Sequence, residues 1–190
     1  MGRWEPDAAG RLRAAALDLF EEHGYDGTTV EDIASRAGVT KRTFFRHYAD
    51  KREVLFGGDS GQAFVGLFAE GLAAAGPDLP PEPALAAAIE HVAGSFGGRW
   101  AFARRRQRVL AANASLRERE LVKMATVAQV LAGGLRDRGV AEPAATVAAE
   151  AAVAVFRTAF ERWVEAPAEQ DLVDEVRTVS AALRGVLAGG

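Results

Sequence analysis

The chain has 190 residues, a formal net charge of −3 and no cysteine, with 49% hydrophobic and 8% aromatic residues. It is long enough to bury a substantial core, and an Ala- and Leu-rich, aromatic-poor composition favours a helical protein. The absence of cysteine excludes disulfides, thiolate catalysis and Cys-ligated zinc or iron–sulfur centres. No stretch has the apolar length of a membrane span or signal peptide, so a soluble cytoplasmic protein is expected.

In chain order, a first helix is expected over about Asp7–His23, with Leu12, Ala16, Leu19 and Phe20 as its apolar stripe and Gly24 as its stop. Arg3, Arg11 and Arg13 near its start either reach a phosphate or lie exposed. Residues 28–48, TTVEDIASRAGVTKRTFFRHY, then read as two short helices across a tight turn. Thr29 and Asp32 have capping-box spacing, Ile33, Ala34 and Ala37 form one face, and Gly38 supplies the turn. Thr40 caps a second helix whose Phe44 and Tyr48 fold back on the first, the pattern of a helix-turn-helix that enters a DNA major groove. Between Arg36 and Arg52 the basic residues Arg36, Lys41, Arg42, Arg46, Lys51 and Arg52 face one acid, Asp50. Such a local patch suits phosphate even in an acidic chain.

Asp50 is placed to cap a long fourth helix from Lys51, with a weak spot at Gly57-Gly58-Asp-Ser-Gly61 before Phe64, Leu67, Phe68 and Leu72 resume the pattern. The Gly58–Gly61 echo of a serine-protease motif has no accompanying barrel feature and is read as chance. A proline-rich loop over 75–83 precedes a fifth helix from about Ala84 to Phe96. A sixth, from Arg99 to about Asn113, carries Arg104, Arg105, Arg106 and Arg108. The seventh is expected to be capped by Ser115 with Glu118, the eighth to run from about Pro143 to Glu165, and the ninth to carry Leu172, Val176, Val179, Leu183 and Val186 as a coiled-coil-like seam.

The stretches Ala14-Ala-Ala-Leu-Asp-Leu-Phe-Glu-Glu-His-Gly-Tyr25, Thr28-Thr-Val-Glu-Asp-Ile-Ala34, Ala37-Gly-Val39 and Phe44-Phe-Arg-His-Tyr48, with Lys51 following, resemble the DNA-binding domain of TetR-family transcriptional regulators. The resemblance spans about the first third of the chain. It implies an all-α protein of about nine helices, with a helix-turn-helix DNA-binding domain over 1–55 and a helical ligand-binding and dimerisation domain over 56–190. It also implies a homodimeric repressor that needs no cofactor or metal, leaves a palindromic double-stranded operator when a small molecule binds, and does not act at a membrane.

By helix face, Thr40, Lys41, Arg42, Phe45, Arg46 and His47 are left for DNA. By resemblance, Thr40, Lys41 and Arg42 sit at the base-reading end, and a basic residue bonding guanine there gives about 1–3 kcal/mol of discrimination. His47 and Lys51 resemble the family's phosphate contacts, and Thr29 offers its hydroxyl to another phosphate. Where relatives often carry tyrosine, Phe45 lacks the hydroxyl and is expected to pack on a thymine methyl or sugar. One short helix reads few base pairs, so a dimer is expected. Ala148, Ala152 and Val155 of the eighth helix and Val176, Val179 and Leu183 of the ninth either form its interface or complete the monomer core.

Phe64, Phe68, Phe96, Trp100, Met124, Phe156 and Phe160 either line an apolar effector pocket or fill a core. In the second case a protein partner would replace the small-molecule inducer. The fourth helix is the expected lever between pocket and DNA. His91 and the Arg104–Arg108 run have both ligand-facing and plain surface readings. Phe156-Arg-Thr-Ala-Phe-Glu-Arg-Trp163 resembles a stretch of acyl-coenzyme A-responsive subgroups. An enzyme is disfavoured: the histidines are His23, His47 and His91, and no phosphate loop, metal-ligand spacing or nucleophile elbow is present.

Overall fold

The computed structural model describes residues 7–57 and 59–189. These residues are all-α and form ten helices: α1 (Ala8–His23), α2 (Val30–Arg36), α3 (Lys41–His47), α4 (Glu53–Phe56), α5 (Asp59–Ala74), α6 (Pro81–Gly94), α7 (Trp100–Ala111), α8 (Ala114–Asp137), α9 (Ala144–Glu165) and α10 (Leu172–Leu187). They gather into two compact units, residues 1–62 with 105–117 and residues 63–104 with 118–190. Relative to the 1–55 and 56–190 division expected from sequence, the first unit also takes in residues 56–62, the end of α7 and the start of α8. Among the described residues no helix is long and apolar enough to cross a membrane.

In the first unit, the Asp7 carboxylate accepts from the Gly10 N–H at 2.8 Å and opens α1. One face of α1 buries Leu12, Ala15, Ala16, Leu19 and Phe20. The Thr29–Asp32 capping box forms as the spacing requires, and Gly38 turns the chain with φ 68°. Phe44 and Tyr48 are buried with Ile33 and Ala34, so α3 packs its inner face on α2. Val109, Leu110 and Leu116 join the same core, which is why 105–117 belongs here.

The expected long fourth helix is broken. α4 is a single turn ended by Gly57 at φ 90°, a left-handed cap that halts the hydrogen-bond ladder before α5. Asp50 does support that turn, accepting from the Arg52 and Glu53 N–H groups at 2.8 and 3.2 Å. Arg3, Gly58 and the side chains of the Gly58–Gly61 echo lie outside the described residues.

In the second unit α6 begins earlier than expected because Pro81 occupies its first position, where no N–H is needed. The cap of α8 is Asn113, whose Oδ1 accepts from Ser115 and Leu116 N–H groups at 3.1 and 3.3 Å; Ser115 itself is not the cap. The core of this unit joins Phe68, Leu72, Ile89, Val92, Leu131, Leu135, Phe156, Trp163 and Val176. Each large apolar side chain so buried contributes about 1.5–3 kcal/mol. Arg138 closes the end of α5, donating to the carbonyls of Leu72 and Gly76, each at 2.7 Å.

Candidate nucleic-acid interface

α3 separates its residues by face. Thr40 stays outside the helix and its hydroxyl accepts from the Thr43 N–H at 3.1 Å. Phe44 is fully buried, and the Tyr48 hydroxyl donates to the Ala9 carbonyl at 3.2 Å, which pins the end of α3 to α1. Lys41, Arg42, Phe45 and Arg46 are exposed, Phe45 by 49%. An aromatic ring this open on a short, otherwise basic helix is unusual for a core residue and suits contact with a base or sugar.

Tertiary neighbours reorganise the basic patch. Arg36 makes a two-pronged bond to Glu22 at 3.0 and 2.8 Å. Lys41 pairs with Glu31, and its ammonium lies 5.9 Å from the Phe45 ring centre. Arg52 pairs with Asp50 at 2.7 Å. Among the described residues, Arg42 and Arg46, both on the exposed face of α3, carry no such acidic partner, and Lys51 bonds only carbonyls. The hydrogen bond from Arg36 holds the Glu22 carboxyl below its ordinary range, and the bond from Lys41 does the same for Glu31.

Of three residues expected to meet phosphate, Thr29 and Lys51 bond within the fold and His47 is half-buried. The Thr29 hydroxyl donates to the Asp32 carboxylate at 2.6 Å and accepts from the Asp32 N–H at 3.2 Å. His47 is half-buried, and its Nε2 is buried without a hydrogen bond. Lys51 donates to the carbonyls of Tyr25 and Thr28 at 2.7 and 3.0 Å, with its ammonium 4.3 Å from the Tyr25 ring centre. Burial, then the charge of Asp50, pushes the Tyr25 hydroxyl up to about 12.

The arginines of the α7 run make bonds within the protein. Arg105 bonds Asp18 at 2.6 Å and Glu21 at 2.8 Å, and Arg108 bonds Glu21 at 3.0 Å. Arg106 donates to the Leu55 carbonyl at 2.7 Å and lies over Phe56. Arg104 lies over Trp100 and donates to the Ala166 carbonyl at 3.4 Å. These contacts hold α1 and α4 in one unit and the end of α9 in the other.

In the C-terminal unit Phe64, Phe68, Phe96, Phe156 and Phe160 converge with Trp163, neighbouring ring centres lying 5.3–6.4 Å apart. Trp100 is tied in by its indole N–H, which donates to the Trp163 carbonyl at 2.8 Å, and Met124 is buried in the same core. Lys123 went unnoticed in the sequence. Its ammonium lies 4.4 Å from the Phe64 ring centre and 2.9 Å from Glu120. Its signal was a Glu–Lys pair three residues apart, where the charged start of α8 gives way to an apolar stretch. An open recess of about 450 Å³ lies elsewhere, lined by Ala69, Leu72, Ala73, Val130, Gly134 and Asp137 and by none of the predicted pocket residues.

The expected dimer residues divide. Ala152, Val155 and Val176 are buried in the core of their own chain, while Ala148, Val179 and Leu183 are partly buried against it. The first three are therefore core residues: α10 packs on α9 and α6 of the same chain, while Val186, expected in its seam, is 78% exposed. The outward face of α9 instead carries Val147, Ala154 and Thr158, and that of α10 carries Thr178, Ala181 and Gly185.

Residues 12–56 match the family model described as bacterial regulatory proteins, tetR family, and residues 79–188 match that of the MftR C-terminal domain. A Mycobacterium tuberculosis protein named as a candidate mycofactocin biosynthesis transcriptional regulator, MftR, is 37% identical over 57 residues, which cover 30% of this chain and 29% of that relative. A candidate TetR-family regulator of Syntrophomonas wolfei superposes with TM-score 0.70 at 16% identity, covering 96% of both chains. FadR of Bacillus subtilis, solved with stearoyl-CoA, superposes with TM-score 0.65 at 21% identity, covering 92% of this chain and 96% of that one. At these identities the two structures speak for the fold.

Proposed function

The chain belongs to the TetR family of bacterial transcriptional regulators, and from that premise we propose that it is a dimeric repressor released from a palindromic operator by a small apolar or amphipathic effector. Members of the family are DNA-binding regulators and not enzymes. The observation that carries the reading is α3 itself, with Lys41, Arg42, Phe45 and Arg46 exposed beside a buried Phe44. Arg42 is the residue we assign to guanine recognition, Lys41 supports it, and Arg46 takes phosphate. Phe45 packs on a thymine methyl or a sugar.

The effector side rests on the aromatic cluster around Phe64, Phe96, Phe156 and Phe160, with Lys123 at its edge. An amphipathic acyl thioester, the class bound in the structure of FadR, is the first to test. Such a ligand acts only if it binds better to the conformation whose recognition helices are mis-spaced for the operator. Gly57 interrupts the rigid path through α4 and α5. We therefore assign the coupling to α7, an unbroken helix whose first half is bonded within the C-terminal unit and whose second half is bonded within the N-terminal one.

One observation favours a second reading, a solid C-terminal core controlled by a protein partner: the cluster packs ring on ring, and Phe68 is fully buried. The test is binding to a duplex that the wild-type protein selects from a random-sequence pool, with genes for mycofactocin biosynthesis as the first genomic place to seek a match. Joint substitution Lys41→Ala and Arg42→Ala should abolish sequence preference while leaving the dimer intact; a retained preference refutes the assignment. Stearoyl-CoA should raise the melting temperature and release the duplex, whereas no effect of it or of other amphipaths favours the solid core.

A further inference from the structure

One turn of α8 is built inside out. The core-facing stripe of this helix carries Met124, Val127 and Leu131, all buried. Extended one turn towards the N-terminus at helical spacing, the same stripe carries Glu120, with Lys123 beside it. The intervening Leu121 and Val122 are 55% and 56% exposed. A helix that needed these charges only for solubility would carry the four residues the other way round. The Lys123 side chain is 11% exposed, so its stem does not carry the ammonium out to water. That ammonium lies 4.4 Å from the Phe64 ring centre and 2.9 Å from the Glu120 carboxylate. Phe64 in turn stands 5.5, 6.3 and 6.2 Å from Phe68, Phe96 and Phe156. A cation thus sits one ring away from the middle of the aromatic cluster. A charge taken out of water needs a partner of opposite sign. Here the acid comes from the same helix, three residues back, on a side chain that is 27% exposed. A pair of this spacing holds weakly, so Glu120 can swing to water when another anion takes its place.

We propose that Lys123 receives the anionic group of the effector, and that Glu120 occupies that position until an effector displaces it. The ligand class is an apolar chain or ring system that carries an anion. Its body lies among Phe64, Phe96, Phe156 and Phe160, and its anion bonds the Lys123 ammonium. A fatty-acid carboxylate and the phosphates of a coenzyme A thioester share this chemistry. The proposal rests on the reading of the aromatic cluster as the effector site.

The test titrates the full-length protein with stearate, stearoyl-CoA and the neutral stearyl alcohol, each delivered from cyclodextrin. Tryptophan fluorescence follows binding, since Trp163 lies in the cluster. At least one anionic ligand should bind about tenfold tighter than the alcohol, and which one does so tells carboxylate from phosphate. Lys123→Met, which keeps the length of the side chain, should erase that difference and leave the alcohol affinity unchanged. Glu120→Gln removes the competing carboxylate and should tighten the anionic ligand severalfold, again without effect on the alcohol. It decides alone if Lys123→Met fails to fold. Three observations would each overturn the proposal and mark Glu120 and Lys123 as a structural pair: an alcohol that binds the wild type as tightly as both anions, a preference that survives Lys123→Met, or a Glu120→Gln protein that binds the anion no more tightly. Binding of none of the three ligands would instead sink the reading of the cluster as the effector site, and the proposal with it.

Discussion

At the scale of single residues, acids from elsewhere in the chain decide what each basic side chain does. Glu22, Glu31 and Asp50 occupy Arg36, Lys41 and Arg52, leaving Arg42 and Arg46 to face outward. The Arg105 guanidinium, and then that of Arg108, hold the Glu21 carboxyl below its ordinary value of 4.5. A carboxyl whose pKa is depressed on folding stabilises the fold above its unfolded value and loses that contribution as pH falls through the folded one. Glu21→Gln should therefore lower stability at pH 7, by less than about 1 kcal/mol for a pair this open to water. The gap to wild type should close as pH falls below 4.5. Urea unfolding at neutral pH and near pH 3 checks this, and a gap that does not change with pH would show that Glu21 acts through packing. The basic window and the inward Phe44 and Tyr48 were legible from spacing. That Lys51 is bonded within the fold was not, because its partners depend on the path of the chain.

At the scale of elements, sequence spacing located the helices well where a cap or a left-handed glycine lies in the same turn. The Thr29–Asp32 box, Gly24 and Gly38 all fall where expected. Gly57 looked like a weak spot in a continuous helix and is instead a terminator. Other glycines are set apart by neighbours distant in sequence. A Cβ on Gly71 would lie 2.9 Å from both Ala88 Cα and His91 Cβ, so α5 approaches α6 only because that position is bare. Gly66 on the same helix has nothing nearer than a Glu70 carboxylate oxygen at 3.9 Å. Gly71→Ala should thus destabilise the protein by about 1–3 kcal/mol through overpacking, while Gly66→Ala should stabilise it by up to about 1 kcal/mol through helix propensity. Denaturant melts of the two variants decide; equal effects would mean the close approach carries no energetic weight.

At the scale of the whole molecule, the apolar seam of α10 was legible but its partner was not. Val176 is fully buried and Ala152 nearly so within one chain, so a dimer of the kind proposed would use what remains outside. We expect the outward face of α9 and α10, with Val147, Ala154, Thr158, Ala181 and Gly185, to meet its symmetry mate. Ala154→Arg should then yield a folded monomer with the wild-type helical signal and strongly weakened duplex binding. Val176→Arg should unfold the C-terminal unit. Sedimentation and circular dichroism separate the two, and an Ala154→Arg protein that remains dimeric would rule out this face.

Taken by itself, the sequence determined the helical class, the helix-turn-helix and the inward and outward faces of α3. Those features rest on contacts three or four residues apart, whose geometry any helix supplies. Tertiary structure decided the rest. Arg105 finds Asp18 across 87 residues and Lys51 finds Tyr25 across 26, partners that no periodicity specifies. The same apolar seam can bury itself in its own chain or in another. Only the folded path of α6, α9 and α10 assigns Val176 to the core and leaves Ala154 exposed.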